Sequence, residues 1–192
     1  MPLQLILFVT SRCNMRCDHC FYLEEINDSS RTELSLGQIE SLAKEIGGLH
    51  WIAISGGEPY LRKDLVEIVQ AFYMNSSPNI ISHVTNGSYP DRISEMTGKM
   101  AASCPNSKIM VSFSLDGLKE SHENIRHSPG SFDLLKESIK AAQKHQSKYP
   151  NLETGVVITA QDENREDLIP LIEYIETDLV PDGIYINLQR DH

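Results

Sequence analysis

Apolar and polar positions along the chain alternate between short, nearly continuous apolar runs and longer stretches of helical spacing. From Leu3 to Thr10 apolar residues are almost unbroken, the pattern of a strand in a parallel sheet covered on both faces. A polar, cysteine-bearing loop follows, then an acidic connection over 21–31. Ser35 with Gln38 three residues on forms a capping box. It opens a helix from Leu36 to about Ile46, with Leu36, Ile39, Leu42, Ala43 and Ile46 on one face. After Gly47-Gly48 comes a second strand, about His50 to Ile54. A helix carrying Leu61, Leu65, Ile68, Val69 and Phe72 follows it, then a third strand from Asn79 to Thr85.

The same rhythm continues to the end. A helix is expected over about Asp91 to Ala102 and a strand from Ile109 to Leu115. A polar segment with His122 and Arg126 and a Pro129-Gly130 turn lead to a helix from Phe132 to about Lys148. Thr154 to Thr159 reads as a strand and about Glu166 to Thr177 as a helix, where Pro170 is tolerable because it falls in the first turn. Pro181-Asp182-Gly183 then turns the chain into a last strand, Ile184 to Leu188. Strands alternating with helices through crossovers too long for hairpins predict an α/β fold, a partial (β/α)6 TIM-like barrel with a parallel sheet. In such sheets the loops leaving the C-terminal strand ends build the site.

Cys13, Cys17 and Cys20 stand directly after the first strand with the spacing C-x3-C-x2-C, and the fourth cysteine, Cys104, lies far away. Three thiols within eight residues can converge on one metal centre. Iron–sulfur cubes are usually held by four thiolates, so a cube held by three leaves one iron open to a small molecule. Two other readings of the residues stay open: a Cys3His zinc site using His19 or a distant histidine, and a disulfide-bearing surface loop, which would leave an odd thiol. The remaining motifs also end strands. Ser55-Gly56-Gly57-Glu58-Pro59 follows the second, Asn86-Gly87 the third and Ser114-Leu115-Asp116-Gly117 the fourth. Strand alternation puts Ser114 and Asp116 on the same side, facing the barrel mouth. Each motif also has a plain structural reading as a turn.

The order of these motifs resembles that of the radical S-adenosylmethionine superfamily, and the resemblance covers the whole chain. It implies a 4Fe-4S cluster on Cys13, Cys17 and Cys20 whose fourth iron chelates S-adenosylmethionine. It places Gly56, Gly57 and Glu58 at the methionine ammonium group, Ser114 and Asp116 at the ribose hydroxyls and methionine carboxylate, and Arg126 on that carboxylate. Tyr22 would lie along the adenine, the backbone of Leu188 would meet it, and Asn86 would bind cofactor or substrate. Against these stand a surface Arg126 paired with Glu123 or Glu120, and Phe21-Tyr22 as core filler. His122 suits helical packing or a cap, Cys104 a lone thiol and Asn164 a helix cap.

Phe21-Tyr22 and the segment 120–126 are similar to the SPASM-containing, sulfatase-maturing branch. That similarity implies an external one-electron donor of flavodoxin or ferredoxin type, a 5′-deoxyadenosyl radical, and hydrogen abstraction from a peptide or protein side chain. A small molecule or lipid substrate, activation of a glycyl-radical enzyme, and a non-catalytic zinc- or cluster-binding module remain alternatives.

Composition narrows the setting. At 192 residues the chain has the size of one domain, expected over 1–192 without the C-terminal helix and cysteine-rich auxiliary domain of relatives, since it stops four residues after Leu188. Seventeen basic against twenty-seven acidic residues give a formal charge of −10, which argues against nucleic acid as a partner. No run approaches the roughly 20 apolar residues of a membrane span, and Met1 to Val9 lacks the basic start and apolar length of a signal peptide. The cytoplasm is the expected location.

Overall fold

The computed structural model describes residues 3–30 and 32–189. Six strands, β1 (Gln4–Phe8), β2 (Trp51–Ser55), β3 (Ile80–Thr85), β4 (Lys108–Ser114), β5 (Leu152–Ala160) and β6 (Gly183–Leu188), pair in sequence order and all in parallel. Parallel neighbours cannot be joined by tight turns, and helices make the crossovers. These are α1 (Leu36–Ile46), α2 (Leu65–Ser76), α3 (Pro90–Ser103), α4 (Lys119–Ile125), α5 (Ser131–Gln143) and α6 (Leu168–Tyr174). Both halves of the expected capping box form at Ser35 and Gln38.

Alternation along the strands divides two environments. Ile52, Ile54, Ile81, Val111, Phe113, Val156 and Ile158 are fully buried and form one cluster with Ile39, Phe72, Ile93, Leu135 and Ile139 of the helices. The opposite face, with Ile6, Phe8, Ser55, Val84, Ser114 and Val157, lines a cavity inside the curved sheet. β1 and β6 stand at the two ends of the strand order, so the barrel is open between them.

That opening corrects the first expectation. β1 is covered on one face only: Leu7 and Val9 are buried, whereas Ile6 is 58% and Phe8 41% exposed. An end strand has no neighbour to close over its inner face. β6 is open for the same reason, with Ile186 and Leu188 largely exposed.

Several boundaries also move. Leu61 belongs to a 3-10 turn, Pro59–Leu61, and the second helix begins at Leu65. The polar segment after β4 holds the two-turn helix α4, too short and polar for a periodic signal. α5 ends at Gln143, and the chain to Lys148 tightens into turns with i to i+3 hydrogen bonds at His145, Gln146 and Lys148. α6 passes into a π turn, Ile175–Leu179, ended by Val180 at φ 45°. Asn164 takes part in capping a 3-10 turn and not the helix α6, its Oδ1 accepting from Gln161 N–H at 2.9 Å. It lies buried in the 3-10 turn Asp162–Asn164, and its Nδ2 donates to the carbonyls of Asp116 and Thr159, both at 2.8 Å.

His83 on β3 is a polar residue on the core face. Its ring is 1% exposed and 5.6 Å from that of Tyr60, and neither nitrogen has a hydrogen-bond partner. Burial pushes its pKa down to about 4. The unfolded chain binds that proton more readily, near pH 6.5, so stability is full above that pH and falls as pH drops toward 4. The loss approaches about 1.4 kcal/mol per pH unit, about 3 kcal/mol in all. Urea unfolding between pH 7 and 4.5 is expected to show a shallower acid loss in His83→Phe than in the parent. Equal slopes would place the acid sensitivity on other groups.

Candidate active site

The cysteine loop leaves β1 without regular structure, so its backbone polar groups need partners elsewhere. The turn after β2 supplies two: Gly57 N–H donates to the Thr10 carbonyl and Glu58 N–H to that of Arg12, both at 2.8 Å. A Cβ on Gly57 would stand 2.3 Å from the Arg12 oxygen, and one on Gly56, at φ +138°, 2.4 Å from that of Thr10. The paired glycines thus admit the cysteine loop itself at a distance no other residue allows. Asn27 clasps the first cysteine from the far side. Its Oδ1 accepts from Cys13 N–H at 3.1 Å and its Nδ2 donates to the Cys13 carbonyl at 2.9 Å. Asn14 donates to Ser88 and accepts from Asn86 Nδ2, while Asp18 N–H donates to the carbonyl of Ile125 and its carboxylate meets His127 at 2.5 Å. The loop is therefore braced by the ends of β2, β3 and α4.

Above this loop lies a cavity of about 940 Å3. Cys13, Cys17, Cys20, Tyr22, Gly56, Gly57, Asn86, Ser114, Arg126 and Leu188 line it; Glu58 and Asp116 do not. Glu58 is 1% exposed beneath the wall and accepts from Tyr60 N–H, Thr85 Oγ1 and Asn86 N–H. Burial pushes its pKa up to about 6 against those hydrogen bonds. Asp116 is wholly buried, which corrects its expected position beside Ser114 at the mouth. β4 ends at Ser114, and the alternation does not extend two residues further.

Arg126 ends α4 and is 5% exposed, with Nε and Nη2 at 2.9 and 2.6 Å from Asp116 Oδ2. The surface pairing with Glu120 or Glu123 is not what forms. Burial works against the Asp116 charge, but Arg126, with His19 and the Thr159 N–H, outweighs it and holds the carboxyl below its usual range. Tyr22 packs on Phe8 at 5.3 Å between ring centres. His122 is buried, with Nδ1 accepting from Asp116 N–H, so it both packs and anchors the strand end.

Sequence reasoning missed Asn14, Asn27, Asp18 with His127, and Thr159. Thr159 could have been found, because it closes a predicted strand at the end where sites form. Nothing in the sequence separates Asn27 from any other loop asparagine.

The donor set fits an iron–sulfur cube. All three thiols are free and share one cavity. Burial raises the Cys13 thiol and pushes Cys17 up to about 11, so iron must displace their protons to bind. Among the described residues no three His, Cys, Asp or Glu side chains form a group that could hold a single metal ion. A cube asks instead for one thiolate per iron. Arg126 is the one permanently charged side chain on the cavity wall among the described residues, and it suits a ligand carboxylate.

An open parallel α/β barrel with a three-thiol loop at its C-terminal mouth defines a cluster-binding enzyme domain. The chain belongs to the radical SAM superfamily, whose model matches residues 7–175. That superfamily uses a 4Fe-4S cluster and S-adenosylmethionine. The chain is 29% identical to the Fe-coproporphyrin III synthase of Methanosarcina barkeri, over 90% of this chain and 41% of that protein. It is 31% identical to the GTP 3′,8-cyclase of Desulforamulus reducens, over 72% and 42%. It thus spans less than half the length of these curated relatives. SuiB of Streptococcus suis, solved with S-adenosylmethionine bound, shares the fold at a TM-score of 0.75 and 18% identity, covering 100% of this chain and 42% of that one.

The glycine clamp yields a test. Gly57→Ala forces its Cβ onto the Arg12 carbonyl and displaces the loop without removing any thiol. Iron content after anaerobic reconstitution is expected to fall several-fold, with stability lower by about 1–3 kcal/mol. Unchanged iron would show that the loop holds its geometry without this contact.

Proposed function

We propose that this chain is the radical-generating domain of a radical SAM enzyme. The observation that carries the reading is that the three thiols, the glycine turn and Arg126 converge on one cavity at the strand ends. A 4Fe-4S cluster held by Cys13, Cys17 and Cys20 would supply one-electron reducing chemistry toward S-adenosylmethionine, the chemistry by which a hydrogen atom would be taken from a substrate.

The chain's own residues bind and orient. Cys13, Cys17 and Cys20 would each give a thiolate to the cluster. Arg126, beside Ser114, would pair with the methionine carboxylate, and the Gly56-Gly57 backbone, kept in place by Glu58, would border the ammonium group. Tyr22 and the Leu188 backbone would border the adenine. The Asn86 side chain braces the cysteine loop through Asn14. The electron comes from an external flavodoxin- or ferredoxin-like donor.

The substrate is a peptide or protein side chain. The cavity opens along the flank between β1 and β6, which admits an extended chain from the side, and SuiB, of the same fold, has been solved with a precursor peptide. A small-molecule substrate is the second reading, favoured by the names of the two sequence relatives. No helix is long and apolar enough to cross a membrane among the described residues; free thiols suit the reducing cytoplasm, and the acidic chain does not suit a nucleic-acid partner.

Anaerobic reconstitution is expected to give about four irons and four sulfides per chain. Reduction with S-adenosylmethionine present should then release 5′-deoxyadenosine. Alanine at Cys13, Cys17 or Cys20 should abolish cluster and cleavage; Cys104→Ala, in the core, should keep both. Stoichiometric zinc under strictly anaerobic conditions would sink this reading. Arg126→Ala should keep the cluster's absorption and weaken S-adenosylmethionine binding by about 1.5–3 kcal/mol, roughly ten- to a hundred-fold in Kd. Equilibrium dialysis measures this, and an unchanged Kd would remove Arg126 from the cofactor site.

A further inference from the structure

Beneath the cavity wall, Asp116 has both carboxylate oxygens occupied by protein. Oδ1 accepts the Thr159 N–H at 2.8 Å, and Oδ2 accepts Nε and Nη2 of Arg126 at 2.9 and 2.6 Å, with His19 Nε2 at 3.5 Å. Its backbone is held as well, by N–H donation to His122 Nδ1 at 3.2 Å and acceptance from Asn164 Nδ2 at 2.8 Å. Arg126, Thr159 and His19 all line the cavity, whereas Asp116 is 0% exposed and reaches none of it.

We infer that Asp116 is a positioning residue that acts on the cofactor through Arg126, not a ribose ligand. This rests on the reading that S-adenosylmethionine binds here. With two of its acceptor sites turned to Arg126 and one to Thr159, and with no exposure to the cavity, this carboxylate does not reach a ribose hydroxyl placed there. What it does is fix the guanidinium edge-on: Nε and one Nη2 hydrogen face inward to Oδ2. The opposite edge, Nη1 with the second Nη2 hydrogen, remains for the cavity, and among the described residues Nη1 makes no hydrogen bond. That edge is itself a two-pronged fork matched to a carboxylate. The same carboxylate ties the fork to β5 through Thr159, and His19 of the cysteine loop stands 3.5 Å from it. The Asp18 N–H to Ile125 carbonyl bond joins the cysteine loop to the helix that ends in Arg126, so carboxylate site and cluster loop share one frame.

The test compares two ligands that differ only in the carboxylate: S-adenosylmethionine and its decarboxylated analogue, S-adenosyl-3-methylthiopropylamine. Both are bound at equilibrium to the reconstituted parent protein and to Asp116→Asn, with iron content and thermal unfolding recorded for each. Loss of the Arg126 anchor is expected to weaken S-adenosylmethionine roughly ten-fold. The analogue's Kd should not move. If both ligands weaken equally, Asp116 touches the nucleoside or supports the site only generally, and the inference falls; it falls too if neither ligand weakens. Should the parent protein fail to bind S-adenosylmethionine at all, the proposed function fails first and takes this inference with it. Asp116→Glu keeps the buried charge while displacing the fork, so it carries the same comparison if Asp116→Asn does not fold. In the Arg126→Ala background, adding Asp116→Asn should cost S-adenosylmethionine nothing further, whereas a direct ribose contact would add its own loss.

Discussion

The approach of the Gly56-Gly57 turn to the backbone of Thr10 and Arg12 is the constraint on which this site depends. A loop that carries three thiols has no ladder of its own, and two hydrogen bonds from the neighbouring strand end give it one. A side chain at Gly57 would drive into the Arg12 carbonyl that accepts from Glu58 N–H, and one at Gly56 into the Thr10 carbonyl that accepts from Gly57 N–H, so each glycine protects one of the two bonds. Asn27 grips the same first half from the other side at Cys13, and Asp18 holds the remainder. The turn then does a second task, since its next residue, Glu58, reaches across to Thr85 and Asn86 at the end of β3. Three consecutive strand ends are thus locked together before any ligand is present.

Two buried carboxylates underlie the cavity, and their environments differ. Glu58 is held by neutral donors alone, and burial pushes its pKa up to about 6. Asp116 faces a guanidinium and remains an anion. The contrast follows from the partner: hydrogen bonds from amides and hydroxyls offset part of a desolvation cost, while an adjacent fixed charge offsets more. Neither carboxylate reaches the wall. An acidic chain therefore presents a cavity whose one permanent charge, among the described residues, is positive.

The sheet and its order were legible because strand periods, Gly and Pro turns and the Ser35 capping box all agree locally. The cavity wall was legible by rule, since chemistry collects at the C-terminal ends of parallel strands. What escaped was whatever depends on a third element. Asp116 reads as a strand-end group facing the mouth, and only the arrival of α4, two turns of polar sequence, draws it inward to Arg126. Asn164 reads as a cap, and besides capping its 3-10 turn it spans the ends of β4 and β5. The exposure of β1 was hidden because an apolar run looks the same whether its second face is covered by protein or left to a cavity.

That second face bears on how the site works. Ile6, Phe8 and Val84 line the cavity, with Phe21 and Tyr22 packed on Phe8, yet all but Tyr22 remain substantially open to water. Exposed apolar surface of this kind is stabilised only when something occupies it, at about 25 cal/mol for each Å2 covered. A ligand that fills the cavity therefore gains from the walls and also removes water from around Arg126. Charge pairing strengthens as the surrounding dielectric falls, so a carboxylate brought to Arg126 would be held more firmly where those walls exclude water. Apolar wall and buried ion pair thus have separate tasks: the pair with Asp116 orients the guanidinium in advance, and the wall sets how dry its surroundings are once the cavity is filled.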